Sequence, residues 1–141
     1  MSEHASEAER LLLERFGHDS LISLATAEGQ TPHVRHVNAY WDSGAFYVLT
    51  HALSGKMQQI ARNPQVALAG EWFTGHGRAV NLGAFLREEN RAIADRMRLE
   101  FAAWLDNGHV NLEDEHTIIL KIELTDGVLF SHGVRYDIRP D

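Results

Sequence analysis

The sequence predicts a mainly β domain with helices, an antiparallel β-barrel of the α+β class. Three observations point there. Seven short segments alternate or are rich in β-branched residues, turn signals separate successive strands, and the regular strand–helix–strand alternation of a parallel sheet is missing. The 141 residues fit a single domain, 1–141, which at this length buries a core without a metal or disulfide staple.

Taken in order, Glu3–Phe16 sets Ala8, Leu11, Leu12 and Arg15 at helical spacing, with Gly17 where a C-cap stands. Ser20–Ala27 alternates, Glu28-Gly29-Gln30 turns, and Pro32–Trp41 is the returning strand of a hairpin. Asp42-Ser43-Gly44 is the next turn, and Ala45–Thr50 has strong β-propensity. Ser54–Arg62 switches to helical period with Met57, Ile60 and Ala61 on one face. Asn63-Pro64 stops it, because a residue before proline avoids the α region. Gln65–Phe73 and Gly77–Phe85 read as two strands joined by the glycine-rich Thr74-Gly75-His76-Gly77. Glu88–Asp106 is the longest helix, with Ile93, Met97, Phe101 and Trp104 on its core face and arginines and carboxylates elsewhere. After the polar loop Asn107–Glu115, Thr117–Leu124 alternates, and Asp126-Gly127 turns it into Val128–Tyr136.

Composition removes several functions. Thirteen Lys and Arg against twenty Asp and Glu give a net charge of −7, and only two residues, Lys56 and Lys121, are lysine. That is the wrong balance for gripping a phosphate backbone, so no nucleic-acid partner is expected. Cysteine is absent, which excludes disulfides, thiolate nucleophiles and Cys-ligated metals. The stretch Met1–Arg10 lacks an apolar signal core and no run is long enough to span a bilayer, so the expectation is a cytoplasmic protein away from membranes. None of the nine histidines sits in a strong ligand spacing, and His33 and His36 point to opposite faces of their strand, so no metal is expected. A Gly-x-Ser-x-Gly elbow is also missing, which leaves a hydrolytic triad unsupported.

The strongest chemical signal is Thr50-His51-Ala52-Leu53-Ser54-Gly55-Lys56, where a strand ends and a helix begins. Unpaired helix N–H groups, a hydroxyl at the N-cap, a glycine that admits a ligand to the backbone and a lysine together describe an anion site, sized for a monophosphate rather than a magnesium-bound triphosphate. The bland alternative is a capped helix beside a solvated lysine. Arg35 is the second signal: a guanidinium in the middle of a barrel strand, sharing a face with Val37 and Ala39, needs a partner and could cradle a flat ring with a polar edge. Trp41, Trp72 and Trp104 are the aromatic residues that could stack on such a ring, Trp72 above all.

In chain order Arg35-x-Val37, Tyr47-x-Leu49-Thr50, Ser54-x-Lys56, Asn63-Pro64 and Arg78-Ala79-Val80-x-x-Gly83 resemble the pyridoxamine 5′-phosphate oxidase-like superfamily of FMN-binding split barrels, from about Ser20 to Tyr136. The resemblance implies an antiparallel split β-barrel and a homodimer with FMN at the subunit interface. Its phosphate would be held by Arg35, Thr50, Ser54 and Lys56, and its ring backed by the strand around Val37. The full cofactor-binding set is then Arg35, His36, Val37, Leu49, Thr50, His51, Ser54, Lys56, Trp72 and Arg78, with His51 or Trp72 positioning a small-molecule substrate. Gly55 stands where the vitamin-converting members carry Arg, Ala79 where they carry Gln, and the ending Phe130–Ile138 lacks their Arg-x-His. Pyridoxamine phosphate oxidation is therefore not expected, and His132, Arg135 and Tyr136 read as C-terminal structure as easily as site residues. The implied function is an FMN-dependent oxidoreductase that takes electrons from a reduced nicotinamide. A flavin-binding protein that stores or senses FMN without turnover is the alternative, and a haem-binding barrel using one of the histidines is the third reading.

Overall fold

A computed structural model describes residues 3–139. The chain runs α1 (Glu3–Phe16), β1 (Ser20–Glu28), β2 (Thr31–Asp42), β3 (Ala45–His51), α2 (Gly55–Arg62), β4 (Gln65–Gly70), β5 (Phe73–Ala84), a 3₁₀ turn (Glu88–Asn90), α3 (Arg91–Glu100), β6 (Thr117–Ser131) and β7 (Val134–Ile138). The strands form one antiparallel sheet in the order β3-β2-β1-β4-β5-β6-β7, and β3 also pairs with β6. That extra pairing closes six strands into the expected barrel, and β7 extends the far end of β6. No helix among the described residues is long and apolar enough to cross a membrane.

Two turns fall elsewhere than the sequence predicts. β5 runs straight through Thr74–Gly77, and the preceding turn is Glu71-Trp72, with Trp72 in the left-handed region at φ 52°. β6 likewise passes through Asp126-Gly127, and the chain reverses at His132-Gly133. The glycines serve closeness instead of turning. A Cβ on Gly77 would lie 2.7 Å from Ile122 Cγ2, one on Gly75 2.8 Å from the Asp126 carbonyl, and one on Gly127 3.1 Å from the Phe73 ring. Gly75 and Gly127 are direct cross-strand partners beside a bulge at His76/Gly77, so the two strands bend tightly over each other there.

The barrel interior is packed by Ile22, Leu24, Val37, Trp41, Phe46, Val48, Leu68, Leu120, Ile122 and their neighbours. α1 covers one end with Ala8, Leu11, Leu12 and Phe16. Phe16 meets Phe46 and Phe73 at ring-centroid distances of 5.8 and 5.5 Å, and Trp41 meets Phe46 at 5.1 Å. Arg15 donates to the carbonyls of Glu71 (2.9 Å) and Phe130 (3.1 Å), tying α1 to two strand ends at once. α3 and the turns after it build a second core outside the barrel from Ala94, Met97, Phe101 and Leu105 against Tyr40, Phe85 and Ile119, while Ile93 and Trp104 lie at its margin. It is shorter than predicted. Asn90 pins its start by donating to the carbonyls of Leu82 and Ala84, both at 2.9 Å. Phe101 leaves helical geometry at φ −101°, ψ 19°, and residues 101–106 continue as turns.

Phe46, fully buried among three aromatic rings, is the test of this core. Phe46→Ala is expected to lower the unfolding free energy by about 3–5 kcal/mol, read as a reduced urea midpoint with an unchanged slope.

Candidate functional site

The candidate site forms where α2 crosses the barrel beside β1, β2 and the end of β3. The pleat of β2 directs Arg35 to the same side as the buried Val37 and Ala39, and His36 to the opposite, exposed side. Arg35 is partly buried and meets only neutral acceptors. Its guanidinium donates to Thr26 Oγ1 (2.8 Å), Gln59 Oε1 (3.1 Å) and the Leu24 carbonyl (3.3 Å). The Thr26 hydroxyl in turn donates to Gln59 Oε1 at 2.5 Å. Lys56, in the first turn of α2, donates to Thr50 Oγ1 at 2.5 Å. Neither Arg35 nor Lys56 forms an ion pair with a carboxylate of the described residues.

Two cations without an anion have electrostatic consequences. Burial pushes the Lys56 ammonium below the usual lysine range, and the charge of Arg35 pushes it further the same way. Burial alone lowers Arg35. Ser54 occupies the N-cap of α2 with extended geometry, φ −66° and ψ 158°, yet makes no capping hydrogen bond. Its Oγ is buried and has no partner among the described residues. A buried hydroxyl left unpaired beside helix N–H groups and two uncompensated cations is a cradle for an anion. A phosphomonoester dianion matches the charge of Arg35 plus Lys56 and would take the Ser54 hydroxyl as a donor.

The structure thus brings together Arg35, Thr50, Ser54 and Lys56, with Val37 adjacent in the barrel wall. It also adds two residues that the sequence reading missed, Thr26 and Gln59. Gln59 carried a usable signal, since it lies three positions after Lys56 on the same helix face. Thr26 carried none, because its contact with Arg35 depends on the β1–β2 register, in which Leu24 is opposite Arg35. The remaining site residues lie apart from the cluster. His36 stands on the outer face with Nδ1 3.2 Å from Ser23 Oγ. Arg78 lines a broad groove of about 710 Å³ floored by Ala25, Ala27, Ala67 and Gly77, which Thr26 joins from the cluster side. Trp72 is 69% exposed at the β4–β5 turn, its ring 6.5 Å from Phe130. Leu49 and His51 leave β3 on the side away from Phe46 and Val48, into a cavity of about 350 Å³ shared with Trp104, His109, Val110 and Asn111.

That second cavity has its own polar group. His51 Nε2 lies 3.5 Å from Asp114 Oδ2, and His116 Nδ1 3.3 Å from Asp114 Oδ1. The backbone N–H of His116 donates to Asp114 Oδ1 at 2.8 Å. This bond chiefly holds the Asp114 carboxyl below the usual carboxylate range, with the two imidazoles adding to the effect.

No family model matches the sequence, and no curated protein matches it. Solved structures do. A "Putative Pyridoxamine 5'-phosphate oxidase" from Listeria innocua aligns with a TM-score of 0.65 at 17% identity, covering 88% of this chain and 96% of its own. A FAD-binding protein from Mesorhizobium loti gives a TM-score of 0.67 at 15% identity over 90% of this chain and 92% of its own. A heme binding protein from Mycobacterium smegmatis gives 0.70 at 14% identity over 99% of this chain and 59% of its own. The chain has the split-barrel fold of the pyridoxamine 5′-phosphate oxidase-like proteins.

Lys56 makes the site's cost measurable. A lysine whose folded pKa lies below its unfolded value near 10.5 penalises the folded state wherever it is charged, and the penalty fades as pH rises through the lowered value toward 10.5. Lys56→Met is therefore expected to raise the melting temperature of the ligand-free protein at pH 7, with the gain shrinking as pH rises toward 10.5. A loss of stability at pH 7 would show that the ammonium is already compensated.

Proposed function

We propose that this protein binds FMN through the Arg35, Thr50, Ser54 and Lys56 cluster and works as an FMN-dependent oxidoreductase on a small organic substrate. The donor is a reduced nicotinamide, and the working form is a homodimer with the flavin at the subunit interface. The observation that carries this reading is the unpartnered Ser54 Oγ beside two partly buried cations that lack a carboxylate among the described residues. A single phosphomonoester answers all three needs at once. The resemblance of the Arg35-x-Val37 and Ser54-x-Lys56 segments to FMN-binding barrels supports the choice of flavin, as does the likeness in fold to a FAD-binding protein.

Arg35 and Lys56 would neutralise the phosphate. Thr26 and Gln59 would hold the guanidinium in place without cancelling its charge, because both are neutral. The Ser54 hydroxyl and the first N–H groups of α2 would supply the remaining donors. Bound there, a flavin supplies two-electron chemistry between nicotinamide and substrate, and the chain's part is anchoring, orientation and shelter from water. Support for the dimer comes from the outer face of β1, β2 and β4. Leu21 and Val34, 63% and 71% exposed, stand there beside the small residues Ala25, Ala67 and Ala69.

The first test is the absorption spectrum of the untreated protein, then FMN titration of the apoprotein. A yellow protein that releases FMN supports the reading, whereas a Soret band would replace it with haem. Lys56→Met is expected to weaken FMN binding by about 1.5–3 kcal/mol, roughly tenfold to a hundredfold in Kd, as for loss of a charge-assisted hydrogen bond. Unchanged affinity would remove Lys56 from the site. Steady-state reoxidation by added acceptors with NADH or NADPH separates an enzyme from a protein that only stores or senses flavin. Sedimentation is expected to give a dimer whose dissociation releases the cofactor; a monomer that keeps FMN would contradict the interface assignment.

A further inference from the structure

The geometry points to a binding site for a divalent transition-metal cation of the zinc type, formed by His51, Asp114 and His116. It lies on the opposite face of β3 from the Arg35–Lys56 cluster and does not depend on the flavin reading. One nitrogen from each histidine and one oxygen from the carboxylate all fall within 4.8 Å of one another. The two measured spacings, 3.5 Å from His51 Nε2 to Asp114 Oδ2 and 3.3 Å from His116 Nδ1 to Asp114 Oδ1, are too long for strong charge-assisted hydrogen bonds. Each separately is close to the roughly 3.4 Å between neighbouring ligand atoms on one ion with bonds of about 2.1 Å, the two running to different oxygens of the same carboxylate, which stands between the imidazoles.

The backbone holds these groups in place independently of any ion. The Ala52 N–H donates to the His116 carbonyl at 2.7 Å, and Thr117 N–H to the Asp114 carbonyl at 2.9 Å. His51 and Thr117 are the last paired residues of the β3–β6 ladder. His116 presents Nδ1 to Asp114, while its Nε2 lies 3.9 Å from Glu115 Oε1, beyond hydrogen-bond reach. Two imidazoles and one carboxylate suit zinc, nickel or cobalt, whereas magnesium and calcium prefer all-oxygen sets. The shared cavity of about 350 Å³, with Trp104 and Val110 in its wall, leaves room for water or a small ligand at a fourth position.

One contact sets the affinity. Leu53 N–H donates to His51 Nδ1 at 3.2 Å, so without an ion His51 carries its proton on Nε2, toward Asp114. Binding at Nε2 moves that proton to Nδ1 and forfeits the Leu53 hydrogen bond. The site is therefore of moderate affinity and exchangeable, not a permanent structural centre.

The test uses the full chain, prepared without a histidine tag and stripped with a chelator. Calorimetric titration with Zn²⁺ is expected to saturate at one ion per chain. Asp114→Asn and His116→Gln should each weaken binding at least about tenfold. His76→Gln, which removes a separate exposed histidine paired with Asp126, should leave it unchanged. Co²⁺ in place of Zn²⁺ should give the intense visible bands of four- or five-fold coordination in the parent protein. Absence of saturable binding below about 1 mM, binding that persists in both variants, or only the weak spectrum of hydrated Co²⁺ would each overturn the assignment.

Discussion

Because β3 is hydrogen-bonded to β2 on one side along Ala45–Tyr47 and to β6 on the other along Ala45–His51, the sheet closes on itself at the start of β3, and its curvature is fixed by that closure. Closure demands a tight bend where β5 crosses β6. Gly75, Gly77 and Gly127 allow it, since a Cβ at any of them would press on the neighbouring strand or on Phe73. The same closure leaves the ends of the barrel open, and the helices fill them. α1 seals one with Phe16 and the Arg15 clamp, and α2 is laid over β1 beside the end of β3.

That placement makes α2 chemically useful. A short helix seated on a barrel has to bury Met57 and Ile60, and in doing so it carries Lys56 into partly buried space next to Arg35. Most partly buried cations are answered by a carboxylate. Here the answers are Thr26, Thr50 and Gln59, all neutral. Folding therefore spends stability to keep positive charge available, the pattern expected where local rules yield to ligand binding. The unpaired Ser54 hydroxyl is the same compromise in a second form.

The period of two in β3 separates two chemistries by one residue. Thr50 faces α2 and the cations, and His51 faces the loop that carries Asp114 and His116. The β3–β6 ladder carries both, with the cations on one side and the histidine–carboxylate group on the other, and Thr50 touches both because it also lines the second cavity. Outside the barrel, the α3 core around Met97, Phe101 and Ile119 packs the wall on which the second cavity rests. This places the loop after α3 in range of β3.

By itself the sequence determined what depends on near neighbours along the chain. Strand and helix period, the Asn63-Pro64 stop, and the Ser54-x-Lys56 pattern at a helix start are all set within one or two turns of the residues concerned, so seven strands, three helices and part of the Arg35–Lys56 cluster were legible. Tertiary structure decided whatever needed register. A glycine kept for close strand approach reads in sequence like one kept for a turn, which is why Thr74–Gly77 and Asp126-Gly127 were taken for reversals although they are bends in continuous strands. The meeting of Arg35 with Thr26 and Gln59, and of His51 with Asp114 and His116, joins residues far apart along the chain. Only the pairing of β1 with β2 and of β3 with β6 brings them within bonding distance, and no local pattern encodes which strand will lie beside which.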